Sequence, residues 1–211
     1  MENCILVKKL APPPLNEREI LRYAGAKEAT DEINELITSC LMECRDAFEY
    51  KVCYRVFDTQ LCDGRVILGS HSIESKSLCK LLETCPQTVV FGATVGHKID
   101  RLILKNSVTS VSRAHILNAI GTERIEALCD RFCAEFSGAS RRFSAGYGDL
   151  SIKAQQDIFS LLDLNRKIGV SLGDSLIMSP AKSVTAIFGI GSENADNKCS
   201  LCSKRDCDFR R

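Results

Sequence analysis

Two residues able to contact a small charged molecule lie in one short, glycine-rich stretch. Arg142 offers a planar guanidinium and Tyr147 an aromatic ring with a hydroxyl, and Gly138, Gly146 and Gly148 punctuate the loop around them. Glycine lets a backbone approach a ligand closely, because it has no Cβ and tolerates positive φ. The same composition is typical of an ordinary surface turn, so the stretch alone leaves both interpretations open.

A second group of reactive side chains lies near the C-terminus, where Cys199, Cys202 and Cys207 follow one another. A Cys-x-x-Cys pair with a third cysteine is able to hold zinc or an iron–sulfur cluster through thiolates. Lys204 and Arg205 stand beside them, and nearby cations favour the thiolate form that binds metal or reacts. The sequence identifies no fourth ligand, so a metal site and a tail of free thiols both stay open.

Composition narrows the class of protein. The chain has 211 residues, 45% of them hydrophobic, and a net charge of +1. So balanced a charge gives no long-range field for a phosphate backbone, and we expect no nucleic-acid partner. No apolar run is long enough to cross a bilayer. The stretch from Met1 to Ile5 lacks the basic and apolar regions of a signal peptide, so we expect a cytoplasmic protein.

The chain contains 12 cysteines. Cys40 with Cys44, and Cys129 with Cys133, are four residues apart on predicted helices, which places each pair on one helix face. We interpret both pairs as reduced core residues rather than metal ligands, because buried thiols behave as small hydrophobic groups.

Hydrophobic periodicity predicts a mixture of helices and short strands, which is typical of the α+β class. We expect one domain over residues 1–190, with a helical arm over 1–48, and a cysteine-rich tail over 191–211. The more specific expectations are a capping box at Asn16, a half-buried strand from Tyr50 to Val56, a closely packed strand from Thr88 to Val95, a helix over 114–136 interrupted near Gly121, and a hairpin of Leu176–Met178 with Val184–Phe188.

Several catalytic signatures are absent from the sequence. No phosphate-binding Walker loop and no Gly-x-Gly-x-x-Gly after a strand is present, which argues against nucleoside triphosphate or Rossmann-type dinucleotide binding. Neither the serine-hydrolase elbow nor the His-Glu-x-x-His zinc motif occurs. The Asp-x-His-x-x-Gly signature of a protein that itself ligates cobalamin through histidine is also missing.

Three elements follow in order between Ala139 and Phe188: an Arg-Phe-Ser-Ala-Gly-Tyr loop, a helix, and a Ser-Pro-Ala-Lys-Ser-Val turn. This order resembles the activation domain of cobalamin-dependent methionine synthase, where an Arg-Pro-small-Pro-Gly-Tyr loop, a helix and a Pro-Gly-Ala-Ser-Val-type hairpin follow one another. A looser similarity extends back through Ile125-Glu126-Ala127. The resemblance implies a twisted, mainly antiparallel sheet flanked by helices.

The resemblance also implies roles for five residues. Arg142 matches the loop arginine that contacts the carboxylate of S-adenosylmethionine, a role that suits a bidentate guanidinium. Ser144 and Gly146 match the small residues whose backbone lines this ligand, and Tyr147 matches the aromatic residue beside it. Glu126 aligns with a helical glutamate that contacts the ligand's amino group.

This sequence departs from the family pattern at the loop. Phe143, Ala145 and Gly148 stand where the family has prolines. Since proline restricts the unfolded chain, we expect a less preorganised loop with a larger ordering cost on binding. A later ligand-contacting tyrosine of the family has no counterpart, because Tyr147 is the last tyrosine of this chain.

The resemblance predicts a free-standing module that binds S-adenosylmethionine and supports reductive remethylation of cob(II)alamin on a partner, a cobalamin-binding methyltransferase of the methionine synthase type. A flavodoxin- or ferredoxin-like donor would supply the electron. The module would be an accessory component rather than a complete enzyme, because the homocysteine, folate and cobalamin modules do not fit into 211 residues.

The sequence allows one alternative function and disfavours another. The chain is alternatively a redox or metal-binding accessory protein that acts through zinc or an iron–sulfur cluster on Cys199, Cys202 and Cys207. An S-adenosylmethionine-dependent methyltransferase is disfavoured, because no glycine-rich loop follows an early strand.

Overall fold

The most strand-like run of the sequence, from Thr88 to Val95, lies at the centre of the fold. In the computed structural model, which describes residues 4–26 and 28–192, this run forms β6 (Gln87–Thr94). β6 pairs with β2 (Lys51–Asp58) on one side and with β9 (Ser183–Ile190) on the other, and β1 (Leu6–Lys9) completes the order β1-β2-β6-β9. All strand pairs among the described residues are antiparallel, as predicted.

Two small sheets and seven helices complete the described part of the chain. The first small sheet contains β3 (Gln60–Cys62), β4 (Arg65–Leu68) and β5 (His71–Glu74), and the second contains β7 (Ser171–Leu172) and β8 (Met178–Ser179). The helices are α1 (Glu17–Tyr23), α2 (Asp31–Cys44), α3 (Lys76–Leu82), α4 (Lys98–Thr109), α5 (Val111–Cys133), α6 (Ala154–Leu162) and α7 (Leu164–Ile168).

The central sheet is buried on both faces. Phe91 of β6 packs into a core with α1, α2, α4 and α5, whereas its neighbour Val90 packs into a second core with α3, α6 and α7. This explains why the β6 sequence is apolar throughout rather than alternating. The strand predicted from Tyr50 to Val56 is confirmed as β2, but the prediction that it is half-buried was wrong for the same reason, since Val52 and Cys53 point to opposite faces and both are buried.

α5 is one continuous helix through Gly121, so the predicted interruption there was wrong. The glycine serves packing instead of a break. A Cβ at this position would lie 3.0 Å from Cε of Lys182 and 3.3 Å from Cγ1 of Ile99. Gly121 therefore lets the aliphatic part of the Lys182 side chain pack directly on the helix. This packing offsets the lower stability that a glycine gives to a helix.

The predicted hairpin near the C-terminal end of the fold was also wrong. β8 (Met178–Ser179) pairs with β7, whereas β9 pairs with β6, so the two runs belong to different sheets. The segment from Pro180 to Lys182 joins them across α4, where the Ala181 N–H donates to Asp100 Oδ2 at 2.7 Å. A turn signal in the sequence identifies a change of direction, but it does not identify the strand that is paired next.

The N-terminal arm is fastened to α5. Asn16 caps α1 through the Glu19 N–H, as predicted, but the Asn16 N–H donates to Glu123 at 3.1 Å rather than to Glu19, so the reciprocal half of the capping box was wrong. Arg124 forms a buried ion pair with Glu123 and donates to the carbonyls of Pro13 and Pro14 at 2.7 and 2.8 Å. The carbonyl groups of the arm thus accept hydrogen bonds from the buried Arg124 guanidinium, whose burial would be unfavourable without them.

Aromatic packing fixes the C-terminal half of α5 on the sheet. The Phe132 ring lies 5.1 Å from the rings of Tyr54 and Phe91 and 6.2 Å from that of Phe188, centroid to centroid. Such tilted and edge-on pairs are favourable beyond the area they bury. Because one side of the helix is held in this way, the positions of its other side chains are set.

Candidate functional site

The segment before the glycine-rich loop extends the edge of the central sheet. The Phe143 N–H donates to the Ile187 carbonyl at 2.8 Å, and the Ile187 N–H returns the bond at 2.9 Å. Earlier in the segment, the Ser140 N–H donates to the Gly189 carbonyl at 2.8 Å. These bonds place Arg142 beside β9, on a backbone whose position is fixed by the sheet.

Burial anchors the loop at three positions, and two of them, Phe143 and Ala145, are positions where the activation-domain family has prolines. Phe143, Ala145 and Leu150 lie in the second core, at 7%, 8% and 2% exposure. Gly146 has φ of 90° and donates its N–H to the Leu150 carbonyl at 2.9 Å, which closes the loop. The anchors thus restrict the folded loop where the family has covalent restraint in its prolines.

Asp149 ties the other end of the loop to α3. Its carboxylate accepts from Ser75 Oγ at 2.6 Å and from the Ser77 N–H at 3.2 Å. The hydrogen bond from Ser75 is the main reason that the pKa of Asp149 is lowered. Ser75 also caps α3, since its Oγ accepts from the Leu78 N–H at 3.0 Å.

The structure brings Arg142 and Glu126 together. Arg142 Nη2 donates to Glu126 Oε2 at 2.9 Å and to Asp130 Oδ1 at 2.8 Å. The Arg142 side chain is 20% exposed, while the two carboxylate side chains are 39% and 41% exposed. Burial opposes the charge of Arg142, but the neighbouring Cys129 and the two carboxylates together raise its pKa.

One nitrogen of Arg142 accommodates both carboxylates, and this determines what else the guanidinium is able to bind. Within residues 4–26 and 28–192, neither Nε nor Nη1 has a hydrogen-bond partner. A guanidinium binds a carboxylate through two parallel hydrogen bonds only by Nη2 together with Nε or with Nη1, so a ligand carboxylate takes this position when one of the two carboxylates leaves Nη2. The chemistry of the cluster therefore fits the head group of an α-amino acid, with an anion at Arg142 and a cation at Glu126.

The other predicted residues lie in the same loop without contacting this cluster directly. The Tyr147 N–H donates to the Ser144 carbonyl at 3.1 Å, so Ser144, Gly146 and Tyr147 form one tight turn. Tyr147 is 68% exposed. No hydrogen bond or ring contact joins its side chain to Arg142 in the described part of the chain, and the ring is accessible to a ligand or a partner.

Sequence reasoning missed two neighbours of Glu126. Asp130 stands four residues after Glu126, a spacing that places both on one helix side, so the signal was present. Tyr23 comes from α1, and burial followed by the charge of Glu126 raises the pKa of its phenol. Nothing in the sequence indicates that Tyr23 lies near Glu126, because this depends on how α1 packs against α5.

The buried cysteines have the properties of core residues. Burial raises the pKa of Cys44 to about 12 and that of Cys53 to about 11. These thiols are protonated at neutral pH and are poor metal ligands. No group of three metal-ligating side chains occurs among the residues that the structure describes. Cys199, Cys202 and Cys207 lie outside the described residues, so a metal site on them stays a prediction.

Membrane insertion finds no support in the described part of the chain. Among its helices, none combines the length and the apolar character that a bilayer crossing needs.

Comparisons with known proteins agree with the predicted resemblance. Residues 125–208 match the sequence model of a family described as "Vitamin B12 dependent methionine synthase, activation domain". The matched range contains Glu126, Asp130 and the whole glycine-rich loop. Among curated proteins, none matches the chain.

One similar solved structure is described as "Crystal Structure of the MetH Reactivation Domain bound to AdoHcy". It superimposes with a TM-score of 0.68 at 10% sequence identity, and the alignment covers 92% of this chain and 81% of that chain. At such low identity the likeness establishes the fold. Together the two comparisons confirm the predicted resemblance and the predicted fold class.

Proposed function

We propose that this chain binds S-adenosylmethionine at the Arg142 cluster and supports the reductive methylation of cobalamin carried by a partner protein. The observation that carries the proposal is the contact of Arg142 with Glu126, two residues 16 positions apart within the range that matches the activation-domain family. The proposal also places the protein in the cytoplasm, where a cobalamin-binding methyltransferase would be its partner.

The described residues fit the amino-acid end of this ligand. Glu126 would turn from Arg142 to accept hydrogen bonds from the ligand's ammonium group, and Arg142 would bind the ligand's carboxylate through the N–H released on Nη2 together with Nε or Nη1. The exposed Tyr147 ring would cover an apolar part of the ligand from the loop side. Ser144 and Gly146 would line the ligand through their backbone, which the absence of a Cβ at Gly146 makes possible.

The contribution of this chain to the reaction would be positioning. Bound S-adenosylmethionine would supply the methyl group and leave as S-adenosylhomocysteine, and one electron from a flavodoxin- or ferredoxin-like donor would reduce the partner's cob(II)alamin. The cluster has no role as acid or base in this scheme, since Arg142 stays protonated. Holding the sulfonium at a fixed place against a docked partner lowers the entropic part of the barrier, which is a large effect in itself.

Titration calorimetry of the purified protein with S-adenosylmethionine tests the ligand. We expect saturable binding to the wild type and a dissociation constant raised about 30- to 100-fold in Arg142→Ala, because a charge-assisted paired hydrogen bond is lost. Arg131→Ala is the matched control. It removes a neighbouring arginine that donates to the arm carbonyls of Ala11 and Pro12 instead.

Two results would count against the ligand assignment: no saturable binding by the wild type, or equal affinity in Arg142→Ala. The partner is tested separately, by following radiolabelled methyl from S-adenosylmethionine onto a cobalamin-binding methyltransferase module in the presence of reduced flavodoxin. Transfer that does not depend on this chain would overturn the proposed role while leaving ligand binding intact.

A further inference from the structure

We propose that Asp130 is a positioning residue for the ligand: it holds the guanidinium of Arg142 while Glu126 turns to the ligand's ammonium group. The inference rests on the proposed function, and it assigns a role to a residue that the loop motif does not include. Its basis is the shared contact of Arg142 Nη2, at 2.9 Å from Glu126 and 2.8 Å from Asp130.

The geometry of the guanidinium requires such a third residue. If Glu126 were the sole carboxylate on Arg142, its movement to a ligand ammonium would leave Nη2 without a partner. An arginine that is only 20% exposed pays a large desolvation cost for an unpaired N–H. Asp130 keeps this nitrogen paired on one side, so the guanidinium stays oriented while the N–H that Glu126 releases, together with Nε or Nη1, forms the fork for the ligand's carboxylate.

The backbone supports a fixed position for Asp130. It lies within the last turn of α5, two residues before Phe132, whose side chain is completely buried against the aromatic core. Aspartate also has one rotatable bond fewer than glutamate, so less rotamer entropy is lost in holding the contact. Glu126, with the longer side chain and the Tyr23 phenol nearby, is better suited to change partners.

The charges point to the same division of roles. Arg142, Glu126 and Asp130 together carry one negative charge, and S-adenosylmethionine, with an ammonium, a sulfonium and a carboxylate, carries one positive charge. The complex is neutral only if both carboxylates are present. Replacing Asp130 by a neutral residue would leave a net positive charge in a partly buried cluster, which is unfavourable for a cationic ligand.

The test combines two variants with two ligands. Calorimetric titrations compare the wild type, Asp130→Asn and Asp130→Glu with S-adenosylmethionine and with methylthioadenosine, which has the adenosyl thioether but no amino-acid head group. We expect Asp130→Asn to weaken S-adenosylmethionine about 10-fold and to change methylthioadenosine by less than about twofold. Asp130→Glu should recover part of the loss, and Asp46→Asn, at an exposed aspartate of the α2–β2 connection, should have no effect.

The outcomes separate the inference from the proposed function. If the wild type binds S-adenosylmethionine and Asp130→Asn binds it equally well, the positioning role is refuted while the proposed function stands. If Asp130→Asn weakens both ligands to the same degree, Asp130 is a structural residue of α5, and unfolding midpoints would show the accompanying loss of stability. If the wild type does not bind S-adenosylmethionine, the proposed function fails and the inference fails with it.

Discussion

Two cations lie against α5, and their surroundings are opposite in kind. Arg142 donates to the carboxylates of Glu126 and Asp130. Lys182 Nζ donates to the uncharged oxygens of Asn118 Oδ1 and Thr122 Oγ1, at 2.8 and 2.9 Å. The four acceptors are spaced four residues apart along the helix, so one side of α5 provides both sites.

The pKa values of the two groups move in opposite directions. For Lys182, burial lowers the pKa, and the carboxylate of Asp100 opposes this only in part. For Arg142, the neighbouring Cys129 and the two carboxylates together outweigh burial, and the pKa is raised. A cation with compensating charges is able to stay ionised while it exchanges partners, whereas a cation among neutral groups is held there at an electrostatic cost.

The difference in partners and in pKa indicates that Arg142 and Lys182 have different functions. Lys182 fastens the segment before β9 to α5, since its stem lies on Gly121 and its ammonium is satisfied by helix side chains. Arg142, in the loop that carries Tyr147, has two nitrogens, Nε and Nη1, without a hydrogen-bond partner among the described residues. We therefore expect Arg142 to take part in ligand binding and Lys182 to stabilise the fold.

The largest expected effect comes from exchanging the type of cation. Arg142→Lys keeps the charge, but an ammonium lacks the planar fork needed to hold the two carboxylates and a ligand carboxylate together. We expect S-adenosylmethionine to bind about 10- to 100-fold more weakly in Arg142→Lys and within about twofold of wild type in Lys182→Met. Titration calorimetry measures both, and an equal loss in Lys182→Met would remove the functional contrast.

A smaller effect on stability tests whether the stem of Lys182 occupies the space above Gly121. Alanine is favoured over glycine within a helix by about 1 kcal/mol, but the new Cβ would lie 3.0 Å from Lys182 Cε. We expect Gly121→Ala to be neutral or destabilising alone and to be less unfavourable when combined with Lys182→Ala, where Ile99 Cγ1 at 3.3 Å is the close contact that stays, with a coupling free energy of about 1 kcal/mol.

Urea unfolding of the four proteins in this cycle measures the coupling. The same substitution combined with Arg142→Ala serves as the control, and there the free energies of unfolding should add. Additivity in both cycles would mean that Lys182 does not pack on Gly121, and the structural role of this cation would lose its support.

The sequence predicted the partners of Arg142 better than those of Lys182. The resemblance named Arg142 from the loop motif and Glu126 from the helix alignment, and these two residues do contact each other. Motif and helix register are local properties, so the sequence was sufficient to find both. Asp130 was overlooked although its spacing from Glu126 was visible. The partners of Lys182 had no visible signal, since the turn was expected to close a hairpin and instead crosses to α5.

The fold shows the same limit. The α+β class and the cap at Asn16 followed from residue patterns within a few positions, whereas the antiparallel sheet followed from the family resemblance. The pairing of β8 with β7, and the bond from the Asn16 N–H to Glu123, depend on contacts between distant segments. Those contacts are decided by packing, which no local pattern encodes.

The smallest expected effect is a pH dependence that only the Lys182 end should show. Because the pKa of Lys182 is lowered in the folded state, the folded protein binds fewer protons than the unfolded chain between that pKa and the ordinary value of 10.5. Stability therefore rises with pH across this window, and below it the penalty is fully present. Arg142 should contribute no such slope, because its raised pKa keeps it charged in both states.

Urea unfolding of the wild type and Lys182→Met at a series of pH values from about 7 to about 10 isolates this contribution, since the other titrating groups are common to both proteins. The free energy of unfolding of the wild type should rise relative to that of the variant as the pH increases. A difference that stays flat would show that Asn118 and Thr122 compensate the ammonium fully. The two cations would then differ in the charge of their partners but not in the cost of burying them.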